Sequence, residues 1–141
     1  MTAQSAAIPY RVDEHGAVAV LLVTSRSTRR WIIPKGKVGA RMLPCRSAER
    51  EAFEEAGVLG RVEKSSVGTY LQGDAHPTLS GPTVVVHAFP LEVIDELPVW
   101  REMHQRERRW FSLKNARQTV RDPEIRRVLK IFERWLGAGR R

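Results

Sequence analysis

The chain has 141 residues, of which 42% are hydrophobic and 28% are charged, as in a soluble globular domain large enough to fold without disulfide bonds. It has one cysteine, which excludes an internal disulfide, and it lacks the apolar run of roughly 18 residues that a membrane-spanning helix needs. A net charge of +8 favours anionic partners such as phosphorylated small molecules, nucleic acid or an acidic membrane surface.

The N-terminal part of the chain predicts β-strands. Residues 6–11 form a plausible first strand, and a polar turn over residues 13–16 leads to residues 17–24, a continuous apolar run typical of a strand buried on both faces. A short strand over residues 31–33 ends at a proline. Because residues 1–16 lack the basic start and apolar core of a secretory signal, we expect a cytoplasmic protein with one domain over residues 1–141.

A loop rich in glycine and lysine follows the third strand. In the order Lys35, Gly36, Lys37, Val38, Gly39, two glycines stand among lysines, so the backbone could approach a phosphate closely. A flexible surface loop with solvated lysines fits the same residues. The loop alone does not decide between these two interpretations.

An acidic helix is expected to begin at residues 45–47 and to end at Gly57, a residue suited to a left-handed C-terminal position. Glu51, Glu54 and Glu55 stand at helical spacings i, i+3 and i+4, so the three carboxylates share roughly a third of the helix circumference. Like charges at this spacing destabilise a helix slightly, unless a hard cation such as Mg²⁺ offsets the repulsion. A solvated acidic face is the alternative.

The other side of the acidic helix is apolar. Ala48, Ala52 and Ala56 form a stripe of small residues, with Phe53 beside it, and such a stripe lets a helix lie close to a sheet. Cys45, near the start of the helix, is expected to be an inert small residue rather than a reactive thiol.

The rest of the chain predicts further strands and two helices. Residues 59–72 and 82–93 have strand patterns around a turn-rich loop at residues 73–81, and His87 in the second strand is expected to be packed rather than metal-binding. A last strand ends at residues 109–111. Ser112 is expected to cap a short helix over residues 113–120, and Asp122 a C-terminal helix with a core-facing apolar stripe, followed by a frayed tail at residues 137–141.

Residues 36–58 resemble the Nudix box, in which a Gly is followed after five residues by Glu, and after seven more by Arg-Glu-hydrophobic-x-Glu-Glu-x-Gly-hydrophobic. Met42 stands where the first Glu is expected, and it is the one departure. The positions in register are Gly36, Arg50, Glu51, Ala52, Glu54, Glu55, Gly57 and Val58.

The resemblance implies an α/β fold, the α/β/α sandwich of Nudix domains, with a mixed central sheet, the box helix on one side and the C-terminal helix packed on the sheet. It also implies a hydrolase that cleaves a phosphoanhydride bond by water attack at phosphorus with Mg²⁺ or Mn²⁺. Glu51 and Glu55 would bind the metal with the Gly36 carbonyl, while Glu54 would accept the proton of the water. Arg50 would orient the carboxylates by ion pairing, with Glu54 as its i+4 neighbour.

Stretches on both sides of the box, residues 21–36 and 100–116, are similar to the branch that hydrolyses diphosphoinositol polyphosphates and diadenosine polyphosphates. In that branch basic residues grip the phosphates, and Arg26, Lys35, Lys37 and Arg106 stand in comparable places here. Each of these four could equally be a solvated surface charge. The expected substrate is a small anionic polyphosphorylated metabolite.

Two other functions remain open at this stage. One is RNA 5′-end pyrophosphohydrolysis, for which the net charge and Trp31 or Trp100 as stacking surfaces are the indications. The other is a binding or regulatory module that has lost catalysis, beginning with Met42. Retention of all three helix carboxylates favours an enzyme. No membrane partner is expected.

Overall fold

The computed structural model of the chain describes residues 2–72 and 84–139. Its strands are β1 (Thr2–Val12), β2 (Val18–Thr24), β3 (Trp31–Ile32), β4 (Lys35–Lys37), β5 (Val58–Val62), β6 (Gly68–Leu71), β7 (Val84–Glu96) and β8 (Arg108–Ser112). Its helices are α1 (Pro44–Glu51), which continues into a π-helical turn (Ala52–Ala56), α2 (Leu113–Thr119) and α3 (Pro123–Gly137).

All eight described strands belong to one mixed sheet. Its main path runs β3-β2-β1-β7-β5, while β4 pairs with β1, β6 with β7 and β8 with β2. The long central strands β1 and β7 are parallel, and the other pairs are antiparallel. The predicted mixed sheet is therefore confirmed.

Helices cover the sheet on both faces because the central strands are apolar on both sides. In β2, Leu21 and Val23 pack into the core cluster that contains α1, whereas Val20 and Leu22 pack into the cluster that contains α2 and α3. The four side chains are fully buried. This confirms the α/β/α sandwich, with the acidic helix on one side and the C-terminal helix on the other.

The small-residue stripe of the acidic helix lies directly on the sheet. Ala48, Ala52 and Ala56 are fully buried, as the pattern predicts. The expectation that Phe53 joins this stripe is wrong, because its side chain is 42% exposed. Alanines bring the helix close to β1, β2 and β5, which leaves no room for an aromatic ring in between.

The predicted caps of the last two helices are confirmed. The Ser112 side chain accepts a hydrogen bond from the Asn115 amide at 3.1 Å, and Asp122 Oδ1 accepts one from the Glu124 amide at 2.9 Å. These oxygens pair amides that the first helical turn leaves without partners. The apolar stripe of α3 enters the core through Ile125 and Phe132 among others.

Other predictions need correction. Residues 35–37 form β4 rather than a loop, because their backbone pairs with Gln4–Ala6 of β1. The expected strand over residues 59–72 is two strands, β5 and β6. The predicted loop at residues 73–81 lies outside the described residues, as do residues 140 and 141 of the tail, and α3 continues through Gly137. In the described part of the chain, no helix is long and apolar enough to cross a membrane.

Candidate active site

A cavity of about 840 Å³ opens where β4, the acidic helix and the residues before β8 meet. Its acidic wall consists of Glu51, Glu55 and Glu102, and its basic wall consists of Arg26, Lys35, Lys37, Arg50 and Arg106. Ser25, Ser27, Ile32 and Gly36 complete the lining. Apart from Glu54, every site residue that the sequence predicts lies in this cavity.

Gly36 of β4 lets the acidic helix come close to the strand. A methyl group on Gly36 would lie 2.7 Å from Glu51 Oε1, closer than side-chain atoms approach. The carboxylate of Glu51 therefore rests directly on the Gly36 backbone. The first glycine of the pattern and the first helix carboxylate are therefore in direct contact.

Glu55 is the most buried carboxyl group of the acidic wall, with 4% of the residue exposed. Burial, a hydrogen bond from its carboxyl group to that of Glu51, and the charges of Glu51 and Glu102 raise the pKa of Glu55 to about 8, against the opposing effect of Arg106. The buried carboxyl group of Glu55, with Glu51 and Glu102 beside it, therefore favours the approach of positive charge.

Arg106 supplies part of this positive charge. Its guanidinium bonds Glu102 Oε1 at 2.7 Å, lies 3.7 Å from Glu55 Oε1 and donates to the Thr24 carbonyl at 3.1 Å. Its side chain is 8% exposed. The sequence leaves undecided whether Glu102 joins the metal shell, because its place in the site depends on the fold of residues 97–107; the structure places it in the cavity lining.

Glu54 is the exception to the predicted shared face. Its carboxylate does not line the cavity but pairs with Arg101 at 3.3 Å, and the expected pairing with Arg50 is absent among the described contacts. The π-helical turn explains the difference. A turn with i→i+5 hydrogen bonds rotates each residue less than an α-helix does, so Glu55 stays with Glu51 while Glu54 turns off that face.

Two lysines of β4 belong to the basic wall, and they differ in burial. Lys35 donates to Gln4 Oε1 at 3.3 Å and to Gln72 Oε1 at 3.0 Å, and its burial lowers the pKa of its ammonium group. Lys37, on the same strand, is exposed. At the cavity rim, Arg26 donates to Gln105 Oε1 at 3.2 Å. The basic wall therefore offers both a desolvated and a solvated cation to an anionic ligand.

The acidic wall offers oxygen donors of the kind that divalent cations bind. Carboxylate and carbonyl oxygens are the ligands that Mg²⁺ and Mn²⁺ prefer, so Glu51, Glu55 and the Gly36 backbone fit in chemical type. Within residues 2–72 and 84–139, however, no three acidic, histidine or cysteine side chains are grouped so that they could hold a metal ion. His87 is half-buried in β7 and belongs to no such group.

Comparison with known families identifies this fold. The sequence profile of the NUDIX domain matches residues 1–132. The chain belongs to the Nudix hydrolase family. One relative is Nudix hydrolase 12, mitochondrial, of Arabidopsis thaliana, which is 31% identical over 97% of this chain and 75% of its own length. Another is diphosphoinositol polyphosphate phosphohydrolase 3-alpha of Mus musculus, which is 30% identical over 80% of this chain and 65% of its own length.

Nudix hydrolase 21, chloroplastic, of A. thaliana is also 30% identical over 89% of this chain, and the chain spans 63% of its length. Among solved structures, an Ap4A hydrolase of C. elegans in a binary complex has a TM-score of 0.75 at 21% identity, covering 98% of this chain and 99% of that one. The NUDIX domain of Shewanella oneidensis NrtR, complexed with ADP ribose, has a TM-score of 0.74 at 13% identity (96% and 88%). These structural likenesses concern the fold.

Within the Nudix box, Met42 changes the surroundings of Arg50. Arg50 Nη1 lies 3.2 Å from the Met42 sulfur, and Nη2 lies 3.6 Å from Glu51 Oε2. A thioether is a weak acceptor, so most of the electrostatic attraction of Arg50 falls on Glu51. The box arginine of this Nudix chain thus pairs with a member of the acidic wall.

Two arginine–glutamate contacts that differ in burial allow a stability prediction. Arg106→Met should lower the free energy of unfolding by about 2 kcal/mol or more, because it leaves Glu102 as an unpaired, mostly buried charge. Arg101→Met is the matched control. It should change stability by less than about 0.5 kcal/mol, because Arg101 is 72% exposed. Urea denaturation in the presence of EDTA measures both, and equal losses would contradict the assignment.

Proposed function

We propose that this Nudix chain is a pyrophosphohydrolase dependent on a divalent cation, acting on a small polyphosphorylated metabolite such as a dinucleoside polyphosphate, an inositol pyrophosphate or a nucleoside diphosphate derivative. The observation that carries the proposal is the cavity that brings an acidic and a basic set of side chains together. A phosphoanhydride chain carries several negative charges, which the basic wall can neutralise. The acidic wall lines the same space and would bind a cation.

The metal would lie on Glu51 and Glu55, with the Gly36 carbonyl as a further oxygen ligand. Nudix hydrolases generally use divalent metal ions, and Mg²⁺ or Mn²⁺ fits these hard oxygen donors. When bound, such an ion neutralises phosphate charge and makes a nearby water more acidic. Glu55, whose pKa is raised to about 8, would have to lose its proton before its carboxylate could act as a ligand.

The basic wall would bind and orient the phosphates. Arg106 is mostly buried and fixed by three contacts, so it would hold one phosphate in a defined place, while the exposed Lys37 and Arg26 would hold the outer part of the phosphate chain. Such positioning matters because phosphoryl transfer depends mostly on alignment and charge stabilisation. Each of these residues would neutralise negative charge both on the bound substrate and on the group that leaves.

The lining of the cavity does not favour either alternative function. Trp31 packs edge-on against Phe111, and Trp100 is covered by the Arg108 guanidinium, so neither aromatic ring lines the cavity as a stacking surface for RNA. The catalytically inactive alternative rests on Met42 alone. Both alternatives become outcomes of the substrate test.

The substrate test is a panel of phosphoanhydrides. Purified protein with Mg²⁺ or Mn²⁺ should release phosphate or nucleotide products from at least one of dinucleoside polyphosphates, inositol pyrophosphates and ADP-ribose, and EDTA should stop the reaction. The control is Glu51→Gln with Glu55→Gln, which removes both proposed ligands. Turnover of triphosphorylated RNA alone would contradict the proposal, as would tight substrate binding without turnover of any compound.

Glu54 is proposed as the group that accepts the proton of the attacking water. Its place in the box supports this role, and its ion pair with the mostly exposed Arg101 is weak enough to break on substrate binding. Glu54→Gln should lower kcat by about 100-fold or more, with fold and substrate binding retained. Glu102→Gln is the comparison and should lower kcat less. If Glu102→Gln abolished turnover while Glu54→Gln retained it, the two roles would have to be exchanged.

Replacement of Met42 by glutamate is expected to raise both the stability of the fold and its affinity for the cation. Met42→Glu would give Arg50 a carboxylate partner, which should raise the free energy of unfolding by about 0.5 kcal/mol. It should also lower the cation concentration at half-maximal activity, because Arg50 would no longer compete for Glu51. Met42→Gln is the uncharged control and should do neither. Unchanged cation dependence in Met42→Glu would show that Arg50 does not restrain Glu51.

A further inference from the structure

The last carbonyls of the acidic helix are all bound by one later stretch of chain, residues 97–108, here named the clamp segment. Four consecutive carbonyl oxygens accept hydrogen bonds from it. The pairs are Glu54 O with Glu102 N (3.1 Å), Glu55 O with Trp100 Nε1 (3.0 Å), Ala56 O with Arg108 Nη1 (2.9 Å) and Gly57 O with Leu97 N (2.8 Å).

These bonds join the helix end to a part of the chain about 40 to 50 positions later. The last four carbonyls of a helix have no partners inside it, and water or a local turn normally satisfies them. Two of the four donors here are side chains, Trp100 and Arg108, and the Arg108 guanidinium also stacks on the Trp100 ring at 3.8 Å from its centroid. The helix end is thus held by a rigid pair of side chains from another element.

Gly57 completes the arrangement. Its φ of +67° ends the helix in the left-handed region, and a methyl group on it would lie 2.7 Å from both Trp100 Cβ and Arg108 Nη1. The box glycine therefore provides the space into which the Trp100–Arg108 pair fits. Without that space the indole could not reach the Glu55 carbonyl.

The clamp segment also carries part of the cavity. Glu102 and Arg106 lie in it, and Trp100 is bonded to the backbone of Glu55 itself. The indole hydrogen bond, together with the bond from the Glu102 amide to the Glu54 carbonyl, therefore ties the backbone of Glu55 to the segment that carries these two cavity residues. A metal ligand with such a support keeps its orientation, and loss of outer supports weakens metal sites by about 10- to 100-fold.

We propose that Trp100 is a positioning residue that aligns the Glu55 carboxyl group with Glu102 and Arg106, using its indole N–H, with Arg108 holding the ring. This inference rests on the proposed function, since it assigns Glu55 to the metal. Trp100 does not line the cavity, so its effect on turnover passes through the position of Glu55.

Trp100→Phe tests the proposal, because it keeps an aromatic ring under Arg108 and removes the donor. We expect kcat to fall by about 10-fold or more and the dissociation constant of Mn²⁺, measured by electron paramagnetic resonance without substrate, to rise by a similar factor. KM should stay within about twofold of wild type, because Arg26, Lys35 and Lys37 of the basic wall lie outside the clamp segment.

Trp110→Phe is a closely matched control. Trp110 also donates its indole N–H, to Glu96 Oε1 at 3.0 Å, and also lies under an arginine, Arg11, at 4.2 Å, but its indole N–H bonds none of the four helix-end carbonyls. Its link to the clamp segment is indirect, through the ion pair of Glu96 with Arg108. This variant should keep wild-type kcat and Mn²⁺ affinity. Equal losses in the two variants would overturn the proposal, because they would reflect general loosening of the fold.

Arg108→Lys provides a second variant that keeps the charge but not the stacking. It should weaken Mn²⁺ binding less than Trp100→Phe does. If one of the two variants fails to fold, the other still tests the proposal, because wild-type Mn²⁺ affinity in the variant that folds would overturn it. If wild type hydrolysed nothing, the proposed function would fail. Weaker Mn²⁺ binding by Trp100→Phe than by Trp110→Phe would then still support the positioning role.

Discussion

The site depends on one unfavourable arrangement: the Glu55 carboxyl group is buried beside a second carboxyl group, that of Glu51. Burial and the neighbouring negative charge both disfavour the ionised form of Glu55, and Arg106 offsets only part of this. The fold must therefore spend stability to hold the two groups together. Binding of a cation is the event that would relieve the repulsion, so the strain is consistent with a role in binding.

Small residues and glycines make that arrangement sterically possible. The stripe of Ala48, Ala52 and Ala56 brings the acidic helix onto the sheet, and Gly36 allows the Glu51 carboxylate to touch β4. The other side of the sheet contributes differently, because α3 packs there with large apolar residues and stabilises the central strands. One face of the sandwich thus supplies stability, while the other holds groups that are unfavourable to bury.

Much of this was predictable from local patterns. The apolar run of β2, the caps Ser112 and Asp122 and the alanine stripe each depend on residues close in sequence, so the sequence predicts them correctly. The position of Glu54 was not predictable, because ideal α-helical spacing places it with Glu51 and a π-helical turn does not. The environment of Glu102 was also hidden, since it depends on contacts between residues almost fifty positions apart, such as the bond from the Glu102 amide to the Glu54 carbonyl.

The clamp segment has a consequence for the order in which the protein is built. The acidic helix can form early, because its hydrogen bonds are local, but its final carbonyls gain their partners only when residues 97–108 have been synthesised and β7 has crossed the sheet. Contacts at such sequence separation form late, because loop closure must precede them. A nascent chain would therefore form the acidic helix before it can make the contacts that hold the end of that helix.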